Sequence, residues 1–452
     1  MSTRLSKGGR LINRSKPVEF SFDGKRLNGY EGDTLASALL ANNQTLVGRS
    51  FKYHRPRGIV ASGPEEPNAL VGLGKGDKFE PNQRATTTEL FDGLHSNSQN
   101  AWPSLAFDIG GVNRIMSRVF PAGFYYKTFI FPRFAWKHIF EPIIRKAAGL
   151  GAAPTEKDAD KYEYFYAHVD VLIIGGGTSG LAAALEVGRS GAKVLVLEQK
   201  NTWGGRAPVD GVFIDNQISE EWIDDAITEL QSMPNVTLKN RTMGAGVYDH
   251  GWATGYESIT DHMPGKKGPR QRLWRIRAKR ILTTTGAIER PLSFAGNDLP
   301  GVMLAGSVRD YLVDFGTSCG DIMVLATNND DAYRTAIKQS EVGLKVAAIL
   351  DARTSVTGEL PNKAREMGIR VETGMAISKV KGSKSVSGVS ICLQAGEGVP
   401  LEEIKCDVVA MSGGWSPIVH LWSHCGGKLN WDAENAMFRP DPERPPLSLI
   451  HI

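Results

Sequence analysis

The spacing of apolar residues changes character several times along this chain, and each change predicts a different element. Val18–Phe22 reads as a strand, Asp23-Gly24 as a hairpin turn and Arg26–Tyr30 as the return strand. Asp33 or Thr34 then caps a helix that turns Leu35, Ala38 and Leu39 inward. This ββα start suits a small β-grasp, ferredoxin-like module. A loop rich in Gly, Pro and Arg follows, first Tyr53–Gly58 and then Gly63–Pro67. Residues 101–165 lose periodicity and gather aromatic, proline and basic residues, which predicts an arm packed on its own domain or on a partner subunit.

From about Ala167 the pattern becomes sharp. The apolar strand Val171–Ile174 runs into Gly175-x-Gly177-x-x-Gly180, then a helix, then the apolar strand Val194–Leu197, which ends in Glu198. Gly175 permits the tight strand-to-helix turn, Gly177 a close backbone approach to a pyrophosphate, and Gly180 close helix–strand packing. Thr178 and Ser179 open the helix, whose free N–H groups and positive dipole end face the phosphates. Glu198 lies where an acid accepts hydrogen bonds from a ribose, and an acid there favours NAD or FAD over NADP. Gly204, Gly205 and Arg206 follow closely enough to line the same pocket, and Thr285 and Gly286 stand at the end of a buried strand, Ile281–Thr285, that should face the cofactor.

A second βαβ unit is predicted from the strands Asp321–Ala326 and Lys345–Asp351. Its connection, Thr327-Asn328-Asn329-Asp330-Asp331-Ala332-Tyr333, has no glycine, and its side chains would obstruct a phosphate; this unit is expected to hold no nucleotide. Val386–Leu393 reads as part of a sheet meander and Cys406–Ala410 as a buried return strand leading to Ser412-Gly413-Gly414-Trp415-Ser416-Pro417.

The 452 residues suggest two to four domains, and 41% hydrophobic with 23% charged residues is an ordinary globular composition. The net charge of +4 divides into 23 basic and 16 acidic residues (+7) up to residue 163 and 30 and 33 (−3) beyond it. That gives no support for nucleic acid and leaves a basic face for solvent or an acidic partner. The four cysteines, Cys319, Cys392, Cys406 and Cys425, form no C-x-x-C pair, which predicts neither a zinc site nor a dithiol and fits a cytoplasmic location. The N-terminus lacks a secretory apolar core, and Val119–Phe140 is broken by Lys127, Arg133, Lys137 and two prolines, so no membrane span is expected.

Other candidates read more simply as structural. His54 is a loop histidine with no carboxylate near it in sequence, expected to bond to backbone. His420 and His424 share a helix face beside Cys425 without further ligands, so no metal is expected. Arg55 and Arg57 either clamp a phosphate or anchor the N-terminal module to the dinucleotide domain. Asn328–Asp331 is a capping loop, and Glu220, Glu221, Asp224 and Asp225 a solvated helix face. No catalytic nucleophile or base stands out.

The layout resembles the glutathione-reductase-like flavin/NAD oxidoreductases: α/β, with a doubly wound dinucleotide-binding domain interrupted by a second αβ domain. More closely, FKYHRPRGI (51–59), EEPNALV (65–71), PAGFYYKTF (121–129), TTTGAIERP (283–291), ATNNDDAY (326–333) and SGGWSP (412–417) resemble alpha subunits of heterotetrameric sarcosine oxidase. The resemblance implies a flexible arm (1–16), a ferredoxin-like module (17–100), a wrapping arm (101–165), a dinucleotide-binding domain (166–300 and 405–452) and an inserted αβ domain (301–404). The module should lack an iron–sulfur cluster, because no cysteine precedes Cys319.

In that family the complex demethylates sarcosine to glycine, makes hydrogen peroxide and passes the one-carbon unit to tetrahydrofolate. The resemblance implies NAD in this chain, FAD and FMN in or shared with the beta subunit, gamma and delta partners, and a folate-binding domain beyond the last residues here. The sequence then reads as an incomplete alpha subunit, inactive alone, whose closing PPLSLIHI need not be native. A self-sufficient FAD- or NAD-dependent oxidoreductase and the alpha subunit of an amine or proline dehydrogenase remain alternatives.

Overall fold

The computed structural model describes residues 2–115, 123, 127, 129–147, 151–446 and 449–451. Most of PAGFYYKTF and part of the closing segment lie outside the described residues. The chain divides into two compact units, one comprising residues up to Ala159 with Arg290–Gly414, the other Asp160–Glu289 with the residues from Trp415 onward.

In the first unit, strands β1 (Asn13–Phe22) and β2 (Lys25–Glu31) form the expected hairpin, with Asp23 and Gly24 both at positive φ in the turn. Helix α1 (Leu35–Ala41) starts in a reciprocal capping box between Thr34 and Ser37. It buries Leu35 and Leu39 completely, worth roughly 1.5–3 kcal/mol each. Strands β3 (Leu70–Leu73), β4 (Glu80–Arg84) and β5 (Leu94–Asn97) complete a five-stranded sheet in the order β2-β1-β5-β3-β4, with β1 and β5 parallel.

The second unit is built on β6 (Tyr162–Ile174), α2 (Thr178–Arg189), β7 (Val194–Leu197), α3 (Ser219–Ser232), β8 (Val236–Lys239), β9 (Thr242–Tyr248), β10 (Trp252–Ser258) and β11 (Gln271–Thr283). The strand order is β8-β7-β6-β11-β10-β9, parallel from β8 to β11 and antiparallel after it. The strand expected at Val171 thus begins at Tyr162. Its aromatic first half pairs with Gln271–Arg277, and only this long-range partner makes it a strand.

The chain then returns to the first unit with β12 (Val302–Leu304), α4 (Ala305–Phe315), β13 (Ile322–Thr327), α5 (Asp331–Glu341), β14 (Lys345–Asp351), β15 (Val371–Thr373), the antiparallel trio β16 (Met375–Gly382), β17 (Val386–Leu393) and β18 (Glu402–Ile404), and β19 (Val408–Ser412). Five of these make the parallel sheet β12-β19-β13-β14-β15. Its α4 side shares one core with the N-terminal module: Phe20, Leu39 and Ile59 lie in the same cluster as Val308, Tyr311 and Ile337. A short last strand, β20 (Leu449–His451), pairs in parallel with β11 of the second unit.

Candidate functional site

The glycine turn between β6 and α2 is shaped by its neighbours. Gly175 has φ +114°, and a Cβ there would sit 2.2 Å from the carbonyl oxygen of Thr284. A Cβ on Gly180 would come within 1.9 Å of Gly175 O, so the helix can lie against the strand only without that side chain. Gly177 is different. A Cβ there meets nothing nearer than Gly205 Cα at 4.0 Å, so the fold itself leaves space in front of it. Gly177 caps α2 without any side-chain hydrogen bond to the first-turn N–H groups. An open slot before an uncapped helix start is the arrangement that accepts a diphosphate.

The second wall is the Gly204-Gly205 turn. Gly204 N–H donates to Gly176 O at 2.8 Å, and Gly177 and Gly204 form a parallel bridge. Glu198 closes β7 at 7% exposure. Its Oε2 accepts the Gly176 N–H at 2.7 Å and its Oε1 the Lys200 N–H at 2.8 Å. Burial raises its pKa, and those two N–H donors partly offset this.

The remaining expected residues fall around the slot with different roles. Thr178 is half-buried and Ser179 exposed in the first turn of α2. Arg206 stacks 5.0 Å above the Trp415 ring and pairs with Asp210 at 3.3 Å. Thr285 donates its hydroxyl to Ile418 O at 2.8 Å, while Gly286 is exposed at positive φ. The hydroxyl that touches the glycine turn belongs to Thr284, which bonds Gly175 O at 2.7 Å. Trp203, which the pattern does not single out, lines the turn, and a Cβ on Gly176 would lie 2.4 Å from its ring.

The βαβ unit β13-α5-β14 is filled where this one is open. Asn329 bonds Ser412 Oγ at 3.0 Å and accepts the Ala332 N–H at 3.3 Å. Asp351, at the strand end that corresponds to Glu198, is completely buried. It accepts from the Tyr333 hydroxyl at 2.9 Å and from Arg353 Nε and Nη2 at 3.0 and 2.7 Å. Arg353 also reaches Asp330 at 2.7 Å, and these contacts hold its guanidinium firmly protonated.

Two sequence expectations are corrected. His54 bonds a carboxylate rather than backbone: its Nδ1 lies 2.6 Å from Asp108 Oδ2, in a buried pair whose acid comes from far along the chain. Arg57 and Arg55 meet Asp298 at 2.5 and 3.6 Å, inside the first unit, so they anchor the N-terminal module to the αβ part of its own unit. Among the described residues no group of His, Cys, Asp and Glu is arranged to hold a metal, and no helix is long and apolar enough to cross a membrane. Burial pushes the Cys319 and Cys406 thiols up to about 12, so neither supplies a thiolate near neutral pH.

Residues 15–101 match the model of a 2Fe-2S iron-sulfur cluster binding domain and residues 170–252 that of FAD dependent oxidoreductases. The alpha subunit of sarcosine oxidase from Rhizobium meliloti (strain 1021) is 47% identical over 97% of this chain. Over nearly its whole length, this chain is a homologue of sarcosine oxidase alpha subunits. The corresponding subunit from Corynebacterium sp. (strain P-1) is 35% identical over 95% of the chain. This homologue spans less than half the length of those relatives, 44% and 40%. Its fold is similar to that of the L-proline dehydrogenase from P. horikoshii, with a TM-score of 0.64 at 20% identity, covering 100% of this chain and 70% of that one. The oxidoreductase model spans the glycine turn, Glu198 and Gly204-Gly205, so the open slot lies within the part that carries the family likeness.

Proposed function

We propose that this chain is the dinucleotide-binding part of a sarcosine oxidase alpha subunit, with NAD in the open space before Gly177 at the start of α2. The observation that carries the reading is the space left before Gly177 at an uncapped helix start, in a chain 47% identical to such a subunit. The N–H groups of Thr178 and Ser179 would take the diphosphate, with Gly175 and Gly180 holding the turn. Glu198 would receive a ribose hydroxyl. Gly204, Gly205 and Arg206 would line the opposite wall, with Thr285 and Gly286 at the neighbouring strand end. The coenzyme supplies no hydride in this reading; it orders the unit.

Amine oxidation falls to FAD and FMN held in or shared with a beta subunit, within a cytoplasmic heterotetramer that also has gamma and delta chains. The complex would convert sarcosine to glycine and reduce oxygen to peroxide. Transfer of the one-carbon unit to tetrahydrofolate would occur outside the residues of this chain. The raised pKa of the Cys319 and Cys406 thiols and the closed His54–Asp108 pair support a chain that binds and scaffolds.

Mass spectrometry of small molecules released on denaturation tests the coenzyme: NAD is expected, and FAD released from this chain alone would favour a self-sufficient flavoenzyme. Peroxide production from sarcosine on adding the beta subunit to a full-length alpha chain tests the complex, and no peroxide counts against it.

A further inference from the structure

The domain matched by residues 15–101 is named for a 2Fe-2S cluster, and such a cluster needs thiolate ligands. Those residues contain no cysteine. One loop of this module nonetheless gathers its backbone N–H groups around positions at the plant-type Cys-x4-Cys-x2-Cys spacing. Between the short strand Pro56–Gly58 and β3, that spacing is met by Ala61, Glu66 and Ala69.

The backbone of this loop converges on the Glu66 side chain, which is 2% exposed. Oε2 accepts the N–H groups of Val60 and Ala61 at 2.8 and 2.7 Å. Oε1 accepts those of Asn68 and Ala69 at 2.7 and 3.1 Å. Converging backbone N–H groups make anion-binding concavities, and iron–sulfur sites are among their uses. Here the anion is part of the chain. Burial acts to raise the Glu66 pKa and these four N–H groups act to lower it. The loop is also tied down on its outside. Tyr311 donates to Ala61 O at 2.9 Å, Leu304 N–H to Val60 O at 2.8 Å, and Thr86 to Gly63 O at 2.7 Å.

We infer that the Glu66 carboxylate occupies the place of an iron–sulfur cluster in this module, filling its N–H concavity with a fixed anion. A carboxylate has no second oxidation state to offer here. The module is therefore redox-silent, a packing platform for α4 and no relay for electrons. The inference rests on the module's own residues and stands or falls independently of which amine the complex oxidises.

The test uses the full chain. Incubated anaerobically with ferrous iron and sulfide, the wild-type chain is expected to gain no iron–sulfur charge-transfer absorption and no paramagnetic signal on reduction. Stoichiometric uptake with either signature overturns the proposal. Glu66→Gln keeps the shape but turns an NH2 group toward two of the N–H donors. It is expected to lower the melting temperature by roughly 5 °C or more. The amides of Val60, Ala61, Asn68 and Ala69 should exchange at least roughly tenfold faster in that variant. Wild-type melting and exchange in Glu66→Gln would overturn the assignment. If that variant does not fold, exchange in the wild-type chain decides: four amides protected as one group support the carboxylate cradle, and four unrelated rates refute it.

Discussion

At the end of β6 the chain turns through glycines and leaves a slot; at the end of β13 it turns through Asn328, Asn329 and Asp330 and fills the equivalent place. Both units end their second strand in a buried acid. Glu198 keeps its carboxylate among backbone N–H groups, whereas Asp351 is saturated by Tyr333 and Arg353. The same supersecondary order thus leaves an open slot in one case and a closed structural element in the other. The closed unit has a guanidinium on its strand-end acid and side chains in its turn; the open one has glycines in its turn and only backbone donors on its acid.

The largest effect is expected at Gly180. Gly180→Val places carbon against Gly175 O, and the second unit should lose more than about 3 kcal/mol of stability. Denaturant unfolding should show this, with no heat on adding NAD in calorimetry. In the closed unit, Arg353→Ala leaves buried Asp351 without its cation and should cost about 3 kcal/mol. NAD affinity should stay within about twofold of wild type, and a larger fall would mean that the closed unit also contributes to binding. Gly177→Ala separates fold from function. The empty protein should melt within about 1 °C of wild type because the new methyl has room, while NAD binding weakens roughly tenfold, or about 1.4 kcal/mol.

The smallest effect concerns pH. The folded chain holds the Glu198 proton to a higher pH than the unfolded chain does. This contribution to stability is therefore full below the ordinary glutamate range near about 4.3 and is lost as pH rises through the folded value. Glu198→Gln should flatten that part of the stability profile, measured as the difference from wild type so that the same-signed slope from Glu66 cancels.

The open unit was legible because its demands are local. β7 and β14 begin and end at the residues their apolar runs mark, and Thr34, one of the two candidate caps with Asp33, caps α1. What escaped depends on residues far apart in sequence. Tyr162–His168 is a strand only because Gln271–Arg277 lies beside it, and Asp108 reaches His54 across more than fifty residues. Thr285 stands at the strand end that the pattern marks, while the contact to the glycine turn belongs to its neighbour Thr284, which no local signal distinguishes. The cradle around Glu66 left only a trace, an acid at cysteine-like spacing in a loop otherwise notable for glycine and proline.

The bridge between Gly177 and Gly204 brings two main chains together with no side chain between them. The width of the cleft is therefore set by peptide geometry and is insensitive to rotamer choice. Sequence drift in the surrounding side chains can alter charge or shape at the mouth while the gauge of the cleft stays constant. A lineage could thus change what enters at the rim without rebuilding the floor.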